Sequence, residues 1–275
     1  MKPRRFDYVR PDSTDEAVAV LAEYGDAASV LAGGQSLMAM LNLRVAEPAV
    51  LVDISRLMEL DYVRVADDKI EVGAAVTQNR LKDWPELAGK LPLVAAALPF
   101  VGHFQTRNKG TVCGSIAHAD PSSEIPLALA TLGGEVVLRS QRGMRVLGAP
   151  EFQRGMLTTA REPDELIVAV RFPVQSTQRL AFREVARRHG DFAIIAVAAC
   201  IEDGHAMRIG VGGMADRPAV LQVAIDGVAA AKDIFVSLAR ELEGYDDLHA
   251  SARFRRDLLR QIGPAVVEEA LRCAA

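Results

Sequence analysis

Hydrophobic positions recur along this chain with two periods, that of an amphipathic helix and that of a strand. Near the start, Ser13-Thr14-Asp15-Glu16 forms a capping box, which predicts a helix that ends at Gly25. Short apolar runs at 28–31 and 49–54 predict two strands, and a helix is predicted between them over 37–43. The beginning of the chain therefore predicts a compact β-α-β-like unit.

The middle of the chain combines further strands with short helices. The pattern predicts strands at 62–65, 69–72, 135–138, 144–147 and 166–172, and helices at 78–84, 85–98 and 123–132. Residues 102–115 are polar and contain glycines, so a loop is expected there. The polar segment 173–178 begins with proline and is the best candidate for a boundary between two domains.

A smaller unit is expected beyond this segment. Strands are predicted at 180–185, 192–201 and 206–211, and helices near 219–225, 232–242 and 254–271. The dipeptide Asp203-Gly204 predicts a hairpin turn between the last two strands. We expect an α+β fold with a domain at 1–175, divided near residue 56, and a C-terminal domain at 176–275 that has a three-stranded antiparallel sheet and helices.

Composition and charge exclude several classes of partner. Of the 275 residues, 50% are hydrophobic and 25% are charged, and 32 basic against 36 acidic side chains give a net charge of −4. Because no long basic run occurs, nucleic acid and anionic membrane surfaces are disfavoured as partners. A membrane-spanning helix needs about 20 apolar residues in a row. No such run or secretory signal is present, so no integral membrane segment is expected.

The cysteines and histidines predict neither a metal site nor a disulfide framework. Cys113, Cys200 and Cys273 are widely spaced, whereas a zinc ribbon or a [2Fe–2S] cluster needs about four ligands. Such scattered cysteines fit a reducing cytoplasm best. The five histidines show no ligand-like spacing, and no P-loop, nucleophile elbow or H-E-x-x-H motif occurs. No catalytic residue is therefore assigned.

One glycine-rich segment imitates a nucleotide-binding motif. Gly210-Val211-Gly212-Gly213-Met214-Ala215 matches the dinucleotide fingerprint G-x-G-x-x-A. That motif requires a helix that begins at its last positions, so that the helix N-terminus meets the pyrophosphate. Pro218 stands where the second turn of such a helix would run, and no clear βαβ unit follows. We interpret the segment as the end of a strand or a bulge.

Two other loops are better placed to bind an anion. Ala32-Gly33-Gly34-Gln35-Ser36 follows a predicted strand, its glycines allow close approach to the backbone, and its serine can cap the next helix. Thr111-Val112-Cys113-Gly114-Ser115 is a second loop of small residues, and Asp120 beyond it could accept hydrogen bonds from ribose hydroxyls. The alternatives are a tight turn without a ligand, and a helix cap at Asp120 or Ser122. Together the loops suggest a nucleotide that contains a diphosphate.

Across its whole length the chain resembles the FAD-binding medium subunit of molybdenum hydroxylases, the carbon monoxide dehydrogenase and xanthine dehydrogenase family. Residues 32–37 are similar to the first FAD loop of that family, and residues 111–116, with Asp120-Pro121 after them, to its second loop. Further similar signatures occur in the family's order at 164–167, 187–193 and 253–256. The resemblance implies an FAD-binding domain of two subdomains, followed by the C-terminal domain of carbon monoxide dehydrogenase flavoproteins.

The resemblance also implies which residues contact FAD. The backbone of 32–36 and residues 111 and 114–116 would hold the diphosphate, and Glu124 the adenosine part. Phe192 would lie beside the isoalloxazine, although an ordinary core aromatic is the alternative, and Arg183 stands where a cation often lies near the flavin. The implied cofactor-binding residues are Leu31, Ala32, Gly33, Gly34, Gln35, Ser36, Leu37, Val101, Thr111, Gly114, Ser115, Ile116, Asp120, Glu124, Leu166, Ile167, Arg183, Asp191 and Phe192.

The function that the resemblance implies is electron transfer. A large molybdopterin-binding subunit would hydroxylate the substrate, and a small subunit with [2Fe–2S] clusters would pass the electrons to FAD on this chain, in a dimer of heterotrimers. The reduced flavin would then pass them to NAD⁺, a quinone or another acceptor. Two alternatives keep part of this interpretation: a stand-alone FAD-dependent oxidase, and a nucleotide-binding scaffold without flavin.

One residue departs from the family pattern. Cys113 stands where the second FAD loop of the family has its first glycine. If this position requires a positive φ or very close approach to phosphate, the cysteine should weaken FAD binding. If the backbone is extended or helical there, the position tolerates cysteine.

Overall fold

The computed structural model describes residues 2–175, 179–201, 206–224 and 228–273. The strands are β1 (Asp7–Val9), β2 (Ala28–Leu31), β3 (Val50–Asp53), β4 (Val63–Ala66), β5 (Lys69–Gly73), β6 (Glu135–Ser140), β7 (Gly143–Gly148), β8 (Gln153–Gly155), β9 (Thr158–Thr159), β10 (Leu166–Pro173), β11 (Leu180–Val185), β12 (Ile195–Ile201), β13 (Ala206–Gly212) and β14 (Ala219–Ala224). The helices are α1 (Thr14–Tyr24), α2 (Leu37–Leu43), α3 (Gln78–Lys82), α4 (Leu87–Lys90), α5 (Pro92–Ala97), α6 (Phe104–Arg107), α7 (Val112–His118), α8 (Glu124–Leu132), α9 (Ala149–Phe152), α10 (Val228–Glu241) and α11 (Ala252–Arg272).

The first unit is a small parallel sheet with the strand order β1-β3-β2. Helix α1 begins as predicted, because the Ser13 hydroxyl accepts a hydrogen bond from the backbone N–H of Glu16 at 3.1 Å, and Gly25 ends it with φ +50°. Helix α2 connects the parallel strands β2 and β3. The predicted β-α-β unit is confirmed.

The middle of the chain forms a five-stranded antiparallel sheet with the order β4-β5-β10-β6-β7. The expected loop at 102–115 is wrong in part, because it contains α6 and the start of α7. Thr111 is the reason for the second helix: its hydroxyl accepts a hydrogen bond from the backbone N–H of Gly114 at 2.9 Å, which caps α7. The small residues that suggested a loop therefore form the first turn of a helix.

The C-terminal sheet has four antiparallel strands, in the order β11-β12-β13-β14, and not the three expected. The helix predicted near 219–225 is wrong: residues 219–224 form the edge strand β14, whose side chains alternate in exposure while its backbone pairs with β13. Residues 192–194, expected in a strand, precede β12. The hairpin turn predicted at Asp203-Gly204 lies outside the described residues.

The strand β12 of the C-terminal sheet is buried on both faces. Along β12, Ile195 and Val197 pack into a core with α10 and α11, whereas Ala196 and Ala198 pack into the larger core of the N-terminal part. This double burial explains why the strand is an uninterrupted apolar run.

Helix α8 lies between two parts of the molecule, which we call its halves: the N-terminal half ends with β10, and the C-terminal half comprises β11–β14, α10 and α11. Each residue of α8 is buried. It packs against β13, where a Cβ atom on Gly210 would lie 1.9 Å from the Thr131 hydroxyl oxygen of α8. At the end of the strand, the Gly213 N–H donates to the Pro121 carbonyl at 3.0 Å. The apparent fingerprint at 210–215 is thus the end of a strand, as predicted, and its glycines allow the helix to approach the sheet.

Candidate functional site

A cleft of about 630 Å³ opens where the first parallel unit, helix α7 and the C-terminal half meet. Its size lies within the range of pockets that hold small molecules and cofactors, roughly 300–1,000 Å³. Most of the residues that the resemblance implies as cofactor ligands line it. They are Ala32, Gly33, Gly34, Gln35, Ser36, Leu37, Val101, Thr111, Gly114, Ser115, Glu124, Leu166, Ile167 and Phe192.

The other implied residues lie outside the lining of the cleft, and they are Leu31, Ile116, Asp120, Arg183 and Asp191. The Asp120 carboxylate accepts a hydrogen bond from the Ser122 N–H at 2.8 Å, in the turn before α8. Arg183 on β11 donates to the Glu269 carboxylate of α11 at 2.8 Å. The structure thus places the Arg183 guanidinium with the C-terminal helix.

The first glycine loop is shaped by contact with a distant part of the chain. A Cβ atom on Gly33 would lie 2.2 Å from the Lys109 carbonyl oxygen, so any larger residue would push the two segments apart. Gly34 has φ +69°, a conformation that favours glycine. Within the described residues, the backbone N–H groups of residues 33–36 donate no hydrogen bond, and Ser36 precedes α2 without a side-chain capping bond. A row of free donors is thus available to an anion.

The second loop is the N-terminal turn of α7. Cys113 lies within this helix at ordinary helical φ, and its thiol donates to the Val72 carbonyl at a sulfur–oxygen distance of 3.6 Å. The side chain is 3% exposed, and burial raises the pKa of the thiol, which keeps it protonated. The backbone conformation is therefore one that tolerates cysteine.

Glu124 is a buried carboxyl group in the wall of the cleft. It is the first residue of α8 and 3% exposed. Burial raises its pKa to about 8, and the carboxylates of Glu184 and Asp120 add to the shift. At neutral pH the Glu124 carboxyl group therefore carries a proton, and it can both donate to and accept from a ligand.

The C-terminal half contributes one aromatic ring to the cleft. Phe192 lies in the segment before β12 and is 53% exposed, which excludes the alternative of an ordinary core aromatic. The neighbouring Gly190 has φ +85°, and a Cβ atom there would lie 2.9 Å from the Gly102 carbonyl oxygen. This close approach places the Phe192 segment against the residue that follows Val101.

Arg161 is a cation of the cleft that sequence reasoning missed. Its Nη1 atom donates to the backbone carbonyls of Glu162, Pro163 and Glu165, at 3.0, 3.3 and 2.8 Å. Burial lowers the pKa of the guanidinium, which nevertheless stays charged at neutral pH. Among the described residues that line the cleft, this is the one arginine or lysine. The resemblance pointed to Arg183 for such a charge, and the local sequence at 161 carries no motif.

Gln78 is a second lining residue without a sequence signal. It is the first residue of α3 and 5% exposed, and it follows the helix cap Thr77. Glutamine at the start of a helix is common, so only the packing shows that it faces the cleft.

The cleft fits a dinucleotide better than a purely apolar ligand. Free N–H groups and Arg161 suit a diphosphate, the polar Glu124 suits sugar hydroxyls, and an apolar wall with Phe192 suits an aromatic ring. No group of described His, Cys, Asp or Glu side chains could hold a metal ion, and no described helix is long and apolar enough to cross a membrane.

Comparison with known proteins finds a matching family model and several similar chains. The model of the FAD binding domain in molybdopterin dehydrogenase matches residues 4–175. Caffeine dehydrogenase subunit beta of Pseudomonas sp. strain CBB1 is 43% identical over 203 residues, which is 73% of this chain and 69% of that protein. The 6-hydroxypseudooxynicotine dehydrogenase complex subunit alpha of Paenarthrobacter nicotinovorans is 35% identical, and the alignment covers 98% of this chain and 96% of that one.

A solved structure shows the same fold over the full length. A chain of carbon monoxide dehydrogenase from Hydrogenophaga pseudoflava superposes with a TM-score of 0.93 at 30% identity, with complete coverage of both chains. The similarity includes the C-terminal half, which lies beyond the residues that the family model matches.

Proposed function

The chain belongs to the family of FAD-binding domains of molybdopterin dehydrogenases, and from this premise we propose that it transfers electrons as the medium subunit of a molybdenum hydroxylase complex. FAD is its cofactor. One observation carries the proposal: Gly33 packs against residues 109–110, so two glycine-bearing segments meet in one wall of the cleft. The backbone N–H groups of residues 33–36 donate no hydrogen bond within the described residues and are available to a ligand there.

Each part of the cleft has a role in holding the cofactor. The N–H groups of residues 33–36 and the first turn of α7 would bind the diphosphate, and Glu124 would bind a sugar hydroxyl. Val101, Leu166 and Ile167 would exclude water from one part of the cleft. Bound FAD supplies the ability to accept and release electrons, so the protein needs no general acid or base of its own.

We place the flavin beside the exposed ring of Phe192, which lines the cleft. Because this ring belongs to the C-terminal half and the diphosphate loops belong to the N-terminal half, cofactor binding would hold the two halves together. The division of the chain into domains at 1–175 and 176–275 is part of this proposal, and so is the implied set of cofactor-binding residues.

The partners follow from what this chain lacks. The chain has three cysteines, whereas a [2Fe–2S] cluster needs about four ligands. We therefore propose that a small iron–sulfur subunit and a large molybdopterin-binding subunit complete the enzyme as a dimer of heterotrimers. Cysteines that form no disulfide fit a cytoplasmic location.

The decisive experiment is to purify the tagged chain from its native host and to analyse its prosthetic groups. Flavin, iron and molybdenum should elute together, and adding the substrate of the complex should bleach the oxidised-flavin band. Flavin alone, with direct reduction of oxygen, would support a stand-alone oxidase, and a colourless protein would support the scaffold.

A matched pair of glycine variants tests the site itself. Gly33→Ala should weaken FAD binding by at least tenfold, because its Cβ atom would collide with the Lys109 carbonyl oxygen. Gly89→Ala is the control, since no atom lies within 4 Å of a Cβ atom there, and it should bind FAD as the wild type does. Equal affinities in fluorescence titrations of the two variants would remove the first loop from the site.

A further inference from the structure

The turn between β8 and β9 holds a leucine in a backbone conformation that leucine rarely adopts. Gly155 pairs with Thr158 across the two strands, so Met156 and Leu157 form a two-residue loop. Leu157 has φ +53°, in the left-handed region, where a Cβ atom is unfavourable and where such turns usually place glycine or asparagine. The local backbone therefore gives no reason for a leucine at this position.

Leu157 is also an apolar residue at the surface of the cleft. It lines the cleft and is 53% exposed, although leucine is usually buried. Its backbone N–H donates to the Ala119 carbonyl at 3.1 Å, and the Gln153 Nε2 atom donates to the same carbonyl at 2.9 Å. These two bonds tie the hairpin to the end of α7 and hold the exposed leucine at a defined place in the wall of the cleft.

Helix α7 sets the distance between Leu157 and the glycine-bearing segments. The helix begins after Thr111, beside the junction of Gly33 with residues 109–110. It ends before Ala119, whose carbonyl accepts the bond from Leu157. At a rise of about 1.5 Å per residue, the two ends lie about 10 Å apart. In FAD a ribose separates the diphosphate from the adenine ring over a similar distance, so a diphosphate at the first turn of α7 can bring a purine ring to Leu157.

The two ring systems of FAD need separate places in the cleft, and the structure offers two. We placed the flavin beside Phe192, whose segment contacts Gly102. Leu157 lies at the other end of α7, where Ala117 and His118 also line the cleft. An apolar side chain against the face of a base removes the apolar surface of both from water, which favours binding.

We propose that Leu157 covers the adenine ring of bound FAD, and that this contact is the reason for a leucine in the left-handed turn. The inference rests on the proposed function, because it requires FAD in the cleft. Leu157 is then a cofactor-binding residue outside both glycine-bearing segments. It selects the dinucleotide over FMN, since FMN has no base to place there. Strained residues of this kind persist where function requires them.

Leu157→Asn separates a ligand contact from a structural role, because asparagine has a similar size, lacks the apolar surface and tolerates the left-handed conformation. We expect FAD affinity to fall by about five- to tenfold, as for one lost apolar contact, while the melting temperature of the FAD-free chain stays equal or rises. A leucine that served only the fold would show the reverse, a lower melting temperature and unchanged affinity. Leu157→Met keeps an apolar side chain and should keep FAD affinity near that of the wild type.

Met156→Asn is the matched control. Met156 is the other residue of the loop, 48% exposed and outside the lining of the cleft, so this variant should bind FAD as the wild type does. Titration with ADP and FMN then locates the contact. Leu157→Asn should weaken ADP binding and leave FMN binding unchanged, even if the substitution also lowers the melting temperature.

Three results would overturn the inference while the proposed function stands. They are FAD binding by Leu157→Asn as tight as that of the wild type, weaker binding of FMN alone, which would place the flavin at Leu157, and an equal loss of ADP and FMN binding, which would indicate a general distortion of the cleft. If the wild type binds no FAD, the proposed function itself fails.

Discussion

At the scale of single residues, backbone conformation decides what each small residue in the cleft does. Gly33 and Gly34 are needed, one for a close approach and the other for a positive φ. Cys113 shows the opposite case, because its position is helical and its thiol faces β5 at Val72. The helical backbone at Cys113 therefore gives no reason to expect weaker FAD binding.

Replacing Cys113 with the family's glycine should change stability and leave FAD affinity within twofold. Loss of the buried thiol and glycine's poor helix propensity together should lower the free energy of unfolding by about 1–3 kcal/mol. Urea unfolding and FAD titration measure the two effects. Ala22→Gly, at an exposed position of α1, isolates the propensity effect of about 1 kcal/mol. A Cys113→Gly chain that binds FAD more tightly would contradict this account.

At the scale of elements, Arg255 holds α11 to the ends of two strands. The side chain is 1% exposed, and its guanidinium donates to the Ile194 and Gly213 carbonyls at 2.5 and 2.8 Å and to the Asp247 carboxylate at 2.6 Å. It also lies over the Tyr245 ring, 4.2 Å from the centroid. Within the arginine-rich signature at 253–256, Arg255 is thus the buried residue, and Arg256 donates to the Glu243 carbonyl.

Arg255→Met should destabilise the chain by about 3–5 kcal/mol, because it leaves a partly buried carboxylate and the backbone carbonyls of Ile194, Gly213 and Tyr245 without this donor. Because Ile194 lies close to Phe192 in sequence, we also expect FAD to bind more weakly. Arg253→Met is a matched control two residues away: its side chain is 89% exposed, and we expect a change within 0.5 kcal/mol, as is usual for surface positions. Similar urea midpoints for the two variants would refute the role of Arg255.

At the scale of the whole molecule, one buried and one partly buried carboxyl group lie in the two halves, and the charge of Glu184 acts on Glu124. Glu124 begins the central helix α8, and Glu184 lies on β11 of the C-terminal sheet. Burial raises the pKa of Glu184 to about 7 and that of Glu124 to about 8. Each carboxyl group is therefore more stable in the folded chain when it is protonated.

The FAD-free chain should become less stable as the pH rises from about 5 to 8.5. The unfolded chain loses these protons near pH 4.5, whereas the folded chain holds them up to about pH 7 and 8, so the stabilisation present at low pH disappears across this interval. Melting temperatures against pH measure the slope. Glu124→Gln should flatten it and raise the melting temperature most at pH 8.5, and the exposed Glu23→Gln should keep the wild-type slope. An unchanged slope for Glu124→Gln would contradict the assignment.

The local sequence predicted most elements, because their signals lie within a few residues. Ser13 caps α1 as expected, α2 has the predicted bounds, and the glycine loop follows β2. The error at 219–224 has a long-range cause: the backbone ladder to β13 makes this segment a strand. Pairing with a neighbouring strand is invisible in the segment itself.

The sequence by itself determined the α+β class, the two glycine-bearing segments and, through its motifs, the family and FAD. Only the tertiary structure decided that Gly33 contacts Lys109, that Gln78 and Arg161 face the cleft, and that Arg183 pairs with the C-terminal helix. The physical reason is distance along the chain. Caps, glycines and apolar periods act between near neighbours, whereas the cleft is made by close packing of segments that are far apart in sequence.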